Sequence, residues 1–295
     1  MSRKFTSGEK TTYFFLSLHG VLLYTLFFLI PVGMGIFYSL TDWNGISQSY
    51  NIIGLENYRT LFTDARVYNA LKINFSYMAV FVVVVNTLAM VLALLLHSES
   101  LKFKRMFRAI YFFPAVISMV VVGLIFDQIF YHVIPRIGDA LNIEILQRNI
   151  LGKSDLALWG VLGVSVWRNT AVPMVLLLAG LQTVPGDLIE AAILDGTNAF
   201  QRFRSVILPF LIPVLNMTLI LTIRHGIMVF DVIKATTNGG PGRTTEAISI
   251  LVYNTGFESM RFGYASTQSI LLFFIIAVIS FVQIRLLKSK EVGQL

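Results

Sequence analysis

The chain has 295 residues, of which 56% are hydrophobic and 13% charged, with a net charge of +7 and no cysteine. A water-soluble domain carries roughly 25% charged residues, so this composition cannot cover a soluble globule of that length and assigns the chain to lipid. The missing cysteine excludes disulfides, thiolate metal sites and a cysteine nucleophile. The basic balance needs no nucleic acid, because Lys and Arg at helix ends also set membrane orientation.

A membrane-crossing helix needs about 20 mostly apolar residues. Six stretches qualify, at about 13–38, 73–96, 107–130, 157–181, 207–232 and 267–287. The expected fold is therefore all-α and integral to a membrane, one domain over 1–295 with no internal repeat. The first stretch is too long for a signal-peptide core and lacks a small-residue cleavage site. Pro31, Pro114, Pro173 and Pro213 fall inside the spans, where neighbouring helices can re-satisfy the freed backbone groups. Between the first two spans, Gly54-Leu55-Glu56-Asn57-Tyr58 reads as a compact turn. After the fifth, Asn238-Gly239-Gly240-Pro241-Gly242 reads as a tight reversal, because Gly supplies positive φ and Pro fixes its own. The segment 245–253 reads as a short helix lying on or dipping into the membrane face.

Orientation follows from the basic residues. With the N-terminus inside, the inner segments hold Arg3, Lys4 and Lys10, then Lys102, Lys104, Arg105 and Arg108, then Arg202 and Arg204, then Arg285, Lys288 and Lys290. The outer segments hold fewer over a greater length: Arg59, Arg66, Lys72, Arg136, Arg148, Lys153, Lys234, Arg243 and Arg261. The positive-inside rule then places both termini, and the loop 185–206, in the cytoplasm.

That loop has its own grammar. Pro185-Gly186 breaks the fourth span, and Asp187 sits at the start of a new helix, where a carboxylate suits the positive end of the dipole. The helix carries Glu190-Ala191-Ala192-Ile193-Leu194-Asp195, and Gly196 suits the left-handed position just past its end. Asn198 is placed to cap a second helix over 199–206, and Ile207-Leu208-Pro209 opens the fifth span, with the proline where its missing N–H does least harm.

The E-A-A stretch, its glycine and the I-L-P that follows resemble the EAA loop of bacterial ABC importer permeases. Further matching stretches are Gly54–Tyr58, Arg108 with Phe112-Phe113-Pro114, Trp167, Leu178-Ala179-Gly180-Leu181-Gln182, Phe230-Asp231 and Thr237–Pro241, in order along nearly the whole chain. They look like the carbohydrate branch, of the maltose-F and glycerol-phosphate-A kind, in its shorter six-span form. The resemblance implies the type I importer fold with a cytoplasmic coupling helix, in a multi-pass protein of the bacterial plasma (inner) membrane. It also implies no catalytic residue, no metal and no cofactor on this chain, ATP and magnesium being held by a partner. The implied partners are a second, different permease subunit, two ATP-binding subunits and an extracytoplasmic solute-binding protein. Glu190, Ala191, Ala192, Asp195, Gly196, Ile207 and Pro209 are then the residues that couple to the ATPase.

Polar residues inside a bilayer are costly and mark pathways or packing. Trp167, Arg168 and Asn169 lie together in the fourth span, and Arg224 and His225 deep in the fifth. Against the family's sugar site, the matching positions are Thr222, His225, Gly226 and Val229, whose spacing puts them on one helix face. Gly226 and Val229 depart from the polar residues of maltose-type sites. The two arginines suit an acidic substrate, structural pairing with Asp127 or Asp231, or snorkelling to an interface. His19, Asn74 and Asn86 read as interhelical hydrogen-bond partners. The expected function is an ATP-driven importer permease for a sugar or oligosaccharide; the alternatives are a glycerol phosphate permease or a secondary carrier. Gly152-Lys153-Ser154 resembles the end of a phosphate loop, but Gln147 stands where the first glycine belongs and no strand precedes it.

Overall fold

The computed structural model describes residues 7–98 and 101–288; Arg3, Lys4 and Lys290, counted above as inner residues, lie outside them. The described residues are helical throughout, apart from turns and one isolated bridge between Thr41 and Ile52. Among the described residues, five helices are long and apolar enough to cross a membrane: Ser17–Tyr38, Ala65–His97, Met119–Leu141, Ala199–Ile227 and Phe262–Arg285. A sixth crossing is formed if Ala157–Asn169 and Ala171–Leu181, bent by 40° between them, make one span.

The chain divides into two compact units. The first combines the described part of residues 1–64 with 252–273. It holds α1 (Ser7–Tyr24), α2 (Ile30–Tyr38) and α3 (Glu56–Thr63), with the first turns of a long last helix. Its knot is polar and buried: the Asn57 amide donates to the Ser39 and Thr41 carbonyls, each at 2.9 Å, and the Thr267 hydroxyl to Ser39 at 3.2 Å. Around it Tyr38 stacks on Trp43 at 4.2 Å, and Phe262 meets Trp43 edge-on at 5.1 Å. The turn is pinned where the Asn51 amide and backbone N–H both donate to Asp42, which holds that exposed carboxyl below the usual carboxylate range.

The second unit combines 65–251 with the described residues after 273. Its axis is α4 (Ala65–His97), followed by α5 (Lys104–Val116), α6 (Met119–Gln128) and α7 (Ile134–Leu141). Then come α8 (Ala157–Asn169), α9 (Ala171–Leu181), α10 (Gly186–Leu194), α11 (Ala199–Arg202), α12 (Leu208–Ile227), α13 (Asp231–Thr236) and α14 (Ile248–Tyr253). The last helix, α15 (Phe262–Lys288), runs on from the first unit. Helix α4 packs on α9 and α12 around Ala89, Ala93, Met174, Leu177 and Leu211, all fully buried. A second cluster joins Tyr77, Phe81 and Val85 of α4 to Val122, Val161, Ile233 and Ile250.

Prolines shape the spans. A wide turn, closed by an N–H bonding five residues back, occupies Thr25–Leu29, Ile129–Val133 and Phe203–Ile207. Each ends two residues before a proline: Pro31, Pro135 and Pro209. A proline has no N–H to give and crowds the carbonyl four residues back, and a widened turn relieves that crowding without ending the helix. Pro213 is carried inside the unbroken α12, whereas two other spans break or bend near a proline. Helix α5 stops at Val116, two residues after Pro114, and a new helix starts at Met119. The third crossing is therefore Met119–Leu141, shifted from the 107–130 expected. The fourth bends at Thr170, whose hydroxyl takes the Val166 carbonyl at 2.7 Å just before Pro173. The fifth begins earlier than expected because the helix over 199–206 fuses with it through the wide turn, and it ends at Ile227.

Candidate functional site

Two places combine exposed chemistry with a backbone that fixes it. The first is the elbow between α9 and α12. After Pro185, which is extended (ψ 128°), α10 begins with Asp187 in its first turn. Glu190 and Ala191 are exposed while Ala192 is buried, so the E-A-A motif presents two residues outward and packs one inward. Asp195 closes the helix and Gly196 follows at φ +76°. The Gly196 N–H then reaches the Ile193 carbonyl at 3.0 Å and the Thr197 N–H the Ala192 carbonyl at 3.1 Å, the double bond of a Schellman ending. The Thr197 hydroxyl also takes the Ala192 carbonyl, at 2.6 Å.

The chain restarts at once. The Asn198 side chain accepts from the Gln201 N–H while the Gln201 side chain accepts from the Asn198 N–H, both at 2.9 Å, a reciprocal capping box. Ile207 ends the wide turn and Pro209 sits in the first turn of α12. The elbow is thus stiff at both ends. Its outer surface is apolar: Leu194 is 88% exposed and Phe200 71%. Ile193 and Leu188 are exposed beside them, among Asp187, Glu190 and Asp195. The four apolar residues were missed by motif reading, although large aliphatics inside a polar loop are a signal that a partner covers them.

The second place is a cavity of about 290 Å³ between α4, α8 and the break after α12. Of the eight polar or pathway positions expected from sequence, it gathers Arg168, Asn169, His225 and Val229, and adds Asp231, Met228, Tyr77 and Ser165. The Arg168 Nε donates to the Ile117 carbonyl at 3.4 Å, one of the backbone acceptors freed where α5 stops. Neither Arg168 nor Arg224 lies within ion-pair distance of a carboxylate among the described residues, so the expected pairing with Asp127 or Asp231 does not form. Asn169 lines the space and donates back to the Ser165 carbonyl at 2.8 Å.

The other four lie elsewhere. Thr222 is buried, donates to Thr218 at 2.8 Å and accepts from Asn86 at 2.9 Å. Gly226 is where α12 meets α4: a Cβ there would stand 2.9 Å from Met78 Cγ and 3.2 Å from its Cα. Trp167 is 43% exposed and meets Phe126 edge-on at 5.2 Å, and Arg224 is exposed on α12 beside His225. Asn74 also spans these helices, donating to the Ile227 carbonyl at 3.1 Å, as expected of an interhelical partner.

A family model described as "Binding-protein-dependent transport system inner membrane component" matches residues 86–290. The chain is 38% identical over 272 residues, 92% of its length and 93% of the other's, to the multiple sugar-binding transport system permease protein MsmF of Streptococcus mutans. It is 34% identical over 264 residues, 90% of its length and 89% of the other's, to a probable starch degradation products transport system permease protein, AmyD, of Thermoanaerobacterium thermosulfurigenes. Its fold matches a chain of a bacterial alginate ABC transporter, solved in complex with an alginate pentasaccharide-bound periplasmic protein. That match has a TM-score of 0.82 over 97% of both chains at 19% identity.

Proposed function

This chain belongs to the family of binding-protein-dependent transport system inner membrane components, and from that membership we propose that it is the permease subunit of an ATP-driven importer for a sugar or short oligosaccharide. The observation that carries the substrate class is its end-to-end likeness to two permeases named for sugar and starch-product transport. The chain forms half of the translocation pathway; a different permease subunit forms the other half, and two ATP-binding subunits work from the cytoplasm. An extracytoplasmic solute-binding protein delivers the substrate. ATP and magnesium bind the ATPase pair, and no residue of this chain takes part in bond-making. Both termini and the elbow face the cytoplasm.

In this reading the elbow is the coupling element. Glu190 offers a charge to a partner cation, and Ala191 keeps the helix surface low enough to seat in a groove. Leu194 and Phe200, which water disfavours at their observed exposure, supply the apolar contact. Asp195, Gly196, Ile207 and Pro209 hold the angle between α10 and the fifth span, so that movement of the ATPase pair tilts α12 rather than bending the loop. Helix α12 carries His225 and leads to Val229, and α8 carries Arg168 and Asn169, so a tilt changes the walls of the 290 Å³ cavity. Trp167, Thr222, Arg224 and Gly226 serve the pathway by packing and by shaping its approaches. Two arrangements whose balance is biased from both ends suffice for alternating access.

The test is uptake by the reconstituted assembly. Glu190→Lys should abolish ATP-dependent uptake while the chain still inserts and assembles with its permease partner. Normal uptake by that variant would remove the elbow from the coupling path.

A further inference from the structure

A second and larger cavity, of about 590 Å³, opens beside the Ala65 end of α4. Three walls form it. Helix α4 presents Arg66, Asn69, Ile73 and Ser76 on one face, with Lys72 beside them, as spacings of three and four residues require. The second wall is Ser154 and Asp155 with the first turn of α8, which holds out Trp159 at 48% exposure. The third is the turn from Gly242 to Glu246. One ion pair locks the first wall to the third: Arg66 Nε donates to Glu246 Oε2 at 2.8 Å and a second guanidinium N–H to Oε1, with the Glu246 side chain 5% exposed. The turn itself is held by the Thr245 hydroxyl, which bonds the Gly240 carbonyl and the Thr237 hydroxyl, each at 2.8 Å.

With Arg66 and Glu246 committed to each other, the remaining polar groups stand open. Asn69, Lys72, Ser76, Ser154, Asp155 and Arg243 hold no side-chain partner among the described residues. This concentration of donors and acceptors around one space is met by water or by a polar ligand. The volume lies in the range of small-molecule sites, about 300–1,000 Å³. An exposed indole beside amide, hydroxyl, carboxylate and cationic groups matches the two surfaces of a sugar ring: a C–H face that stacks on an aromatic, and a rim of hydroxyls that both donate and accept. The cavity is also in line with the deeper one. Residues 65–76 of α4 line it, and Tyr77 and Phe81 line the His225 cavity, which puts the midpoints of these two α4 stretches about 13 Å apart at helix rise.

We infer that this cavity is a separate oligosaccharide subsite, a vestibule in which Trp159 stacks on a sugar ring while Asn69, Asp155 and Arg243 bond its hydroxyls before the solute reaches the His225 cavity. The inference rests on the sugar reading above. The test uses maltotriose and raffinose as probes, with two readouts. In the full chain carrying Trp43→Phe and Trp167→Phe, the emission of Trp159 should change saturably with at least one probe; Asp155→Ala should weaken the response, and His225→Ala should not. In the assembled transporter, Trp159→Ala should raise the KM for uptake of that sugar about threefold to tenfold, the loss of one aromatic contact, with the maximal rate within about twofold. Trp159→Phe should restore most of it. An unchanged KM for a sugar that the wild-type assembly does transport would overturn the subsite and leave the sugar reading standing. No uptake of any sugar by the wild-type assembly would overturn both. Trp159 emission that responds to the unliganded binding protein but not to free sugar would make this face a docking surface and overturn the subsite.

Discussion

Single side chains in this protein divide into those that hold helices together and those left open to a ligand. Thr222 belongs to the first group, because both functions of its hydroxyl are used by Thr218 and Asn86. Thr222→Val should lower the thermal stability of the solubilised chain by about 0.6 kcal/mol, the usual worth of an interhelical hydrogen bond in a membrane. Which sugar is preferred should not change; an altered preference in a competition uptake assay would move Thr222 into the binding surface. Gly226 is in the same group for a steric reason. A side chain there meets Met78, so Gly226→Leu should cost about 1–3 kcal/mol of overpacking, and Met78→Ala should recover part of it in the same melting measurement. Asp42 adds a pH dependence. Its folded-state pKa is depressed by the Asn51 bonds, so its stabilisation is present above the ordinary carboxylate pKa and is lost as pH falls through the lower folded value. Asp42→Asn should remove the acid-range destabilisation of the 41–52 turn, read by proteolysis of that turn. His225, Arg168 and Asn169 line the deeper cavity, and among the described residues no carboxylate is paired to the arginine.

At the scale of elements, the elbow shows how much local grammar specifies. Asp187 in the first turn, Gly196 at positive φ and Asn198 as a cap are all where residue chemistry puts them, because each solves a problem confined to four or five neighbouring residues. Gly196→Val should cost about 1–2 kcal/mol, since a β-branched residue resists that φ, and should reduce ATP-dependent uptake more than it reduces the amount of assembled complex, read by quantitative pull-down. Leu194→Lys should weaken retention of the ATPase on the permease pair without lowering the melting temperature of the chain alone. The helix limits were less legible. Hydropathy marks which stretches are apolar, but Pro31, Pro135 and Pro209 are absorbed by wide turns while Pro114 ends its helix, and that choice depends on whether a neighbour can take the freed carbonyl. Arg168 does so at Ile117, a contact between residues 51 positions apart that no local pattern contains. Spacing puts Thr222, His225, Gly226 and Val229 on one helix face, but α12 ends at Ile227, so Val229 lies past it; that α4 would take up Thr222 and Gly226 was not readable, because it depends on Asn86 and Met78 of a helix more than 130 positions away in sequence.

For the whole molecule, the balance of buried and exposed surface fits one half of a larger assembly. The first crossing buries none of the described residues of Ser17–Tyr38 within the chain, and the elbow leaves Leu194 and Phe200 uncovered. In the proposed assembly, lipid, a second permease and an ATPase would cover such faces. Because the chain has no cysteine, single-cysteine labelling can read its orientation directly: Thr197→Cys should react from the cytoplasmic side and Thr60→Cys from the opposite side. The central claim is that transport through this chain is driven by ATP through the elbow. The most direct measurement is uptake of labelled maltotriose or raffinose into proteoliposomes holding the complete assembly and its binding protein, with ATP supplied on the ATPase side, for wild type and Glu190→Lys. The account predicts wild-type uptake that requires both ATP and the binding protein, and none by the variant. Uptake that proceeds without ATP, or that survives Glu190→Lys at the wild-type rate, would contradict it.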